Sequence, residues 1–436
     1  MKLWDKGTKT DTIIESFTVG RDREFDLYLA EADVYGNLAH TAMLETIGLL
    51  TSQEKNDIHR ELKTILDDIS HGNFVIEEGI EDVHSQVELI LTRRLGDTGK
   101  KVHSGRSRND QVLVDMKLYI RKEQTIVAHE VKNLFELLIS LSEKNKNVLI
   151  PGYTHLQVAM PSSFGLWFGC YAESLVDDLQ LLLSAFKINN QNPLGSAAGY
   201  GSSFPLNRQM TTDLLGFDNM NYNVMYAQMG RGKTEKITAY ALASIGATLA
   251  KMSNEICLFM NQNFNFVTFP EHLTTGSSIM PHKKNPDVFE IIRGKCNRLQ
   301  AVPNEIAYIT TNLPFGYNRD LQLIKEILMP CFADIKACLQ LACVMLEYII
   351  IKDGIINDDK YVYLFSVEEV NKLVLKGMPF RDAYKKVGIE INQGIFNPER
   401  SVNHTHEGSI GNLCNDKITA KFNDIFSSIT LFKYSF

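Results

Sequence analysis

The chain has 436 residues, with 45 Lys plus Arg against 52 Asp plus Glu and a formal net charge of −7. That balance offers no electrostatic footprint for nucleic acid or an anionic membrane surface. Hydrophobic residues at 44% and charged residues at 22% exclude disordered, collagen-like and low-complexity classes. The start, Met1-Lys2-Leu3-Trp4-Asp5-Lys6-Gly7, lacks the apolar run of a secretory signal. No stretch approaches the 18 or so uninterrupted apolar residues of a membrane span, so the expected location is cytoplasmic. Seven cysteines without a CxxC pair read as buried, reduced thiols rather than disulfides or a metal set.

Residues 1–107 read as short helices and loops. A helical stripe then runs Val112, Met116, Ile120, Val127, Leu134, Leu138, Leu141. A second stripe runs Phe164, Phe168, Tyr171, Leu175, Leu179, Leu182, Phe186, beginning just after Pro161. A third runs Ile237, Ala241, Ile245, Leu249, Met252, Ile256, Phe259, and a fourth runs from Leu321 to Ile349 in steps of three and four. Pro330 interrupts the fourth without changing its phase, which predicts a continuing helix with a kink. Each helix is about 25–30 residues, or about 40 Å long. Strand signals are weak; only Asn263-Phe264-Asn265-Phe266 alternates briefly. After Ile351 turns break the pattern again. The expectation is an all-α chain of three regions, 1–107, 108–351 and 352–436. Apolar residues beside the stripes, among them Trp167, Leu181, Leu183, Leu258 and Val344, predict a second partner for the long helices, hence a homo-oligomer.

Four polar segments stand at the ends of these helices. Thr275 to Glu290 (TGSSIMPHKKNPDVFE) is a glycine-led loop running into a helix, with Asn285 placed to cap it and Pro286 at its first turn. Loop hydroxyls, Lys283, Lys284 and a helix N-terminus suit an anion such as a carboxylate or phosphate. A capped helix with solvated lysines remains open on the same residues. Gly152-Tyr153-Thr154-His155-Leu156-Gln157 precedes the second long helix and offers a histidine among hydrogen-bonding neighbours. Gly105 to Gln111 (GRSRNDQ) opens the first, with two arginines suited to bidentate carboxylate recognition. Tyr317-Asn318-Arg319-Asp320-Leu321-Gln322, followed by Lys325, opens the fourth. The loop Pro193 to Ser203 is glycine-rich but matches no phosphate-binding pattern and reads as an inter-helix connection. His404-Thr405-His406 is the only close histidine pair, without the companions of a metal motif.

Gly276-Ser277-Ser278-Ile279-Met280-Pro281-x-Lys283-x-Asn285-Pro286 resembles the signature loop of the fumarase/aspartase superfamily. Gly105 to Val112 (GRSRNDQV), Pro151 to Gln157 (PGYTHLQ), Glu81-Asp82-Val83-His84 and Tyr317 to Asp320 look like the argininosuccinate lyases in particular. The resemblance runs from about residue 20 to about 350, in matching order. It implies a helical homotetramer around a central twenty-helix bundle, with each active site drawn from three subunits. The implied reaction, part of arginine biosynthesis, is the reversible cleavage of argininosuccinate to arginine and fumarate, without cofactor or metal. Residue by residue, it implies Ser277 and His155 as the acid–base pair and Glu290 as the acid partnering the histidine. Lys283 and Asn285 would hold the succinyl carboxylate. Thr154, Asn109, Tyr317, Gln322 and Lys325 match substrate contacts, with Arg108 and His84 from neighbouring motif positions. Asn37 stands in place of the family's usual substrate-binding serine and is expected to contact the amino-acid end of the substrate in its stead, since its amide keeps an acceptor and adds donors; Leu323 and Ile324 stand in place of acidic residues, and Ala227 to Arg231 in place of a more acidic stretch. The region after Ile351 is short and divergent.

The chemistry explains the residue types. Elimination removes a weakly acidic C–H beside a carboxylate and piles a second negative charge onto that carboxylate. Cations and donors aimed at the developing charge are therefore required. The departing nitrogen needs a proton, and a histidine near neutral pH suits that task. Ser277 as base and His155 as acid is the preferred assignment; the reverse remains open. Two other readings remain at this level. One is a sister lyase on another fumaryl adduct such as adenylosuccinate. The other is a non-catalytic crystallin-like relative, which would be expected to lose Ser277, His155 or Lys283, all of which are present.

Overall fold

The computed structural model describes residues 12–429 and 434–436. Its first part holds α1 (Thr12–Val19), α2 (Asp22–Asp26), α3 (Ala30–Thr46), α4 (Ser52–Ser70), α5 (Val83–Leu95) and α6 (Asp97–Lys100). The middle holds α7 (Arg108–Lys144), α8 (Phe164–Asn189), α9 (Arg208–Leu214), α10 (Val224–Met229), α11 (Lys233–Met260), α12 (Asp287–Leu299), α13 (Val302–Thr310) and α14 (Leu323–Glu347). The last part holds α15 (Ser366–Leu375), α16 (Phe380–Asn392) and α17 (Asn415–Ser427).

The four stripes become α7, α8, α11 and α14, of 37, 26, 28 and 25 residues. Their apolar faces close on one another: α7 packs on α8 and α14, and α11 packs on α8, α12, α13 and α14. Leu134, Phe168, Leu249 and Phe332 sit fully buried in that shared core. Pro330 lies inside α14, which continues through it. The segment Arg319–Glu347 is long and apolar enough to cross a membrane by length and composition, but one face of it, with Leu328, Phe332, Ile335, Leu339 and Leu346, is buried in the core shared with the other long helices. At the far end, α17 closes the bundle by stacking Phe422 on Phe135, with ring centroids 3.9 Å apart.

Three features differ from the sequence expectation. The segment before α8 is a β-hairpin, β1 (Leu149–Thr154) paired antiparallel with β2 (Gln157–Ser163). The brief alternation at Asn263 to Phe266 is not a strand; the short strand there is Val267–Thr268, paired with Ile350–Ile351. The cysteines are all free, but not all are buried: Cys296, Cys331 and Cys338 are, whereas Cys170 is exposed. Cys170 lies outside the core-facing stripe of α8, where no periodic signal could have placed it inside. On the outer faces of the long helices, Leu181, Leu258, Leu341 and Val344 remain 38–47% exposed, while Trp167 and Leu183 turn inward.

Candidate active site

Two of the four polar segments converge within one chain, together with Glu81 to His84. Ser107 caps α7, its hydroxyl accepting from Asn109 N while Asp110 Oδ1 accepts from Ser107 N at 2.8 Å. Asp110 Oδ2 also accepts from Gly195 N at 3.0 Å and Ala197 N at 2.9 Å, tying the glycine-rich loop to the start of α7. This leaves Arg108 and Asn109 facing a cavity of about 190 Å³. The segment ahead of α5 supplies Glu81, Asp82 and His84 to the same cavity, and the turn into α14 supplies Tyr317, Gln322 and Lys325. Arg231, at the start of α11, closes the wall.

The cavity is built from paired charges. Lys325 donates to Asp22 at 2.8 Å and Asp26 at 2.6 Å. Burial works against its ammonium, but the two carboxylates win and raise its pKa. Arg108 pairs with Asp82 and donates to Ser85 Oγ at 2.5 Å, and Arg319 pairs with Glu81 at 2.6 Å. Burial would raise the Asp82 pKa, yet His84 and Arg108 together hold it below the usual carboxylate range. Behind this wall His84 Nδ1 lies 2.7 Å from Asp33 and 3.4 Å from Asp115. Burial opposes the charged imidazole, but Asp33 and Asp82 raise the His84 pKa. Burial and then the neighbouring Asp33 push Asp115 well above the carboxylate range. Asp33, His84 and Asp115 have the donor types of a metal site, within 4.8 Å of one another. His84 contacts both carboxyls and the buried Arg106 guanidinium acts on Asp115, so the cluster already has basic partners of its own. Asn37 is also behind the wall. It is 2% exposed, accepts from Arg106 and donates to Asp33 Oδ2 at 2.9 Å, so its amide is spent on the frame.

The other two segments stand elsewhere on the chain. In the loop before α12, Asn285 N donates to Thr275 O at 2.9 Å, and Asn285 Nδ2 donates to Gly276 O at 3.1 Å. The side chain thus ties the base of the loop and does not cap α12, which begins at Asp287 with Pro286 in the cap position. The cap predicted at Asn285 is lost because its amide finds acceptors across the loop. Ser277 Oγ, half-buried, accepts from Met280 N at 3.1 Å and Ile279 N at 3.4 Å. Lys283 and Glu290 are exposed. The tip of the β1–β2 hairpin is His155-Leu156, flanked by the pair Thr154–Gln157. Both tip residues have positive φ, 54° and 59°. That is the two-residue hairpin turn usually made by Asn-Gly, and in Leu156 it is a strained conformation. Leu156 at 81% and Ile279 at 82% exposure mark both segments as projecting.

Asn109, Tyr317, Gln322, Lys325, Arg108 and His84 are therefore brought together. Among the described residues, no hydrogen bond or ion pair joins Ser277, His155, Thr154, Lys283 or Glu290 to that group or to the proposed partner across the site. Asp26 and Arg231 line the cavity and Asp22 holds Lys325 from behind it; sequence reading missed all three. Asp22 and Asp26 carried no motif; Arg231 lay in the segment already marked as unusual.

A family model described as Lyase matches residues 5–301. A curated relative from Bacteroides thetaiotaomicron, named argininosuccinate lyase, is 63% identical over 419 residues, covering 96% of this chain and 94% of its own. One from Phocaeicola vulgatus with the same name is 64% identical, again covering 96% and 94%. One from Thermotoga neapolitana, also so named, is 36% identical, covering 88% and 97%. Among solved structures, an EDDS lyase in complex with formate superposes with a TM-score of 0.77 at 19% identity, covering 97% of this chain and 91% of its own. A fumarate lyase:delta crystallin from Brucella melitensis gives 0.73 at 16%, covering 93% and 91%. At these identities the structures show the shared fold.

Proposed function

The chain belongs to the lyase family and within it to the argininosuccinate lyases, and from that premise we propose how its residues divide the elimination of argininosuccinate to arginine and fumarate. The observation that supports the division is the separation of the polar segments: a charge-paired cavity in one place, and two projecting segments in others.

The cavity takes the arginine half. Tyr317, Gln322 and Asn109 offer hydrogen bonds, His84 and Arg108 set its charge, and Lys325 is held rigid by Asp22 and Asp26. Asn37 acts through Arg106, fixing the loop that carries Asn109, rather than on substrate. The loop around Ser277 takes the succinyl half. Lys283 and Asn285 face the carboxylate on which charge develops, where a preorganised donor is worth about 3–4 kcal/mol. Ser277 removes the proton. His155, oriented by Glu290, gives one to the departing guanidinium nitrogen, and Thr154 beside it positions substrate. Because each segment projects or opens outward on its own chain, a complete site needs neighbouring subunits. The exposed apolar residues on α8, α11 and α14 are the surface that a homotetramer would cover.

The test is complementation. His155→Ala and Ser277→Ala proteins are each purified, shown inactive, dissociated together in equal amounts and reassembled. If the two residues reach each site from different chains, about one quarter of the sites receive both intact residues. Activity should then return to about a quarter of wild type. No recovery in properly reassembled protein would show that one chain supplies both residues and would overturn the shared-site reading.

A further inference from the structure

Of the basic residues lining the cavity, Arg108, Arg319, Lys325 and His84 each touch a carboxylate. Arg231 does not: among the described residues no carboxylate lies in ion-pair contact with it. It is 7% exposed. Its Nη2 donates to Leu321 O at 3.3 Å, and its guanidinium carbon lies 5.3 Å from the centre of the Tyr317 ring. Its Nη1 is buried with no hydrogen-bond partner at all. Asp22 and Glu235 feel its charge electrostatically but stand outside contact.

The placement is fixed by the backbone. Gly232, the next residue, has φ +83°, and a Cβ there would fall 2.5 Å from Thr310 Cγ2. Gly232 N in turn donates to the buried Glu235 at 2.6 Å. The arginine is therefore held against the cavity wall by its own chain, with one face of the fork used and the other empty. A buried, unpaired guanidinium N–H is unfavourable in the free protein and becomes favourable only when an anion arrives.

We propose that Arg231 binds the α-carboxylate of the arginine half of the substrate, and so distinguishes an amino acid from the corresponding amine. The inference rests on the assignment of this cavity to the arginine half. Lys325 already spends two of its three N–H bonds on Asp22 and Asp26, whose two carboxylates offset its charge, so it is less free than Arg231 to take that role. The succinyl carboxylates are met by Lys283 and Asn285 at the other end of the substrate. The α-carboxylate is the remaining anion of argininosuccinate, and a planar fork with one free N–H beside Tyr317 and Gln322 matches it.

The experiment compares L-arginine with agmatine, which lacks only the α-carboxylate, as competitive inhibitors of fumarate release from argininosuccinate. Wild type should bind arginine at least about tenfold more tightly than agmatine, the scale of one charge-assisted pair. Arg231→Gln should weaken arginine by about that factor and leave agmatine within about twofold, so the ratio collapses. Arg231→Lys, which keeps the charge, should recover part of the discrimination, an outcome that a merely structural role would not produce. Should the glutamine variant fail to fold, the lysine variant carries the comparison, and a wild type that does not separate arginine from agmatine overturns the proposal without any variant. An unchanged ratio in Arg231→Gln, or weakened inhibition by succinate in its place, also overturns it. Absence of fumarate release by wild type would instead overturn the functional assignment itself.

Discussion

Replacing Ser277 by alanine separates a chemical from a structural role by magnitude. The hydroxyl oxygen accepts two loop hydrogen bonds, from Met280 N at 3.1 Å and Ile279 N at 3.4 Å, on a half-exposed residue. Both are long, so each falls at the low end of the usual range, and together they are worth about 1 kcal/mol. If loop geometry were all that Ser277 supplied, the rate would fall about fivefold. Loss of the base that takes the succinyl proton should cost about 10²–10⁴-fold, or about 3–5 kcal/mol. The two expectations do not overlap. The measurement is the initial rate of fumarate release, followed by ultraviolet absorbance at saturating argininosuccinate. Sedimentation alongside checks that the assembly matches wild type. Ser277→Thr, which keeps a hydroxyl, should retain more activity than the alanine variant. A fall of less than about tenfold in intact Ser277→Ala protein would refute the assignment and leave the serine as a loop tie.

Two further predictions concern the scaffold. Phe422 is fully buried and stacked on Phe135, so Phe422→Ala should destabilise by about 3–5 kcal/mol, read by chemical denaturation; a cost below about 1 kcal/mol would mean that α17 is not fastened to the bundle there. Lys117 is buried on α7 with its ammonium on Asn221 Oδ1 at 3.1 Å, and burial, only partly offset by Glu235, lowers its pKa to about 8. Its ordinary value is about 10.4, so above that pH both folded and unfolded forms are neutral and no penalty exists. As pH falls from about 10.4 towards 8 the unfolded chain takes up a proton that the folded one refuses, and stability is lost. Compared with Lys117→Met, wild type should therefore gain about 2–3 kcal/mol between pH 7.5 and 10, and a flat difference would show that the ammonium is not disfavoured.

What the sequence determined by itself was local. The four long helices were legible because an amphipathic helix writes its own period, and Pro330 could be placed inside α14 because the phase survived it. The polar segments were legible as motifs, each with its residues in order. What it could not determine depended on partners far along the chain. The β1–β2 hairpin has Pro151 and Pro161 in its strands and His155-Leu156 at its tip, so neither alternation nor a glycine turn announces it. Asn285 looked like a cap and became a loop tie because its amide met Gly276 O. Asn37 looked like a substrate contact and lies behind the wall, because Arg106, 69 residues away, takes its oxygen. Arg231 lay in a segment marked only as less acidic than usual, and nothing there gave its role, since being the unpaired cation of a cavity is a statement about where Asp22, Asp26, Asp82 and Glu81 ended up. Hydrophobic period is a property of one segment; charge pairing needs carboxylates within a few ångströms, and only the packed bundle decides which ones arrive.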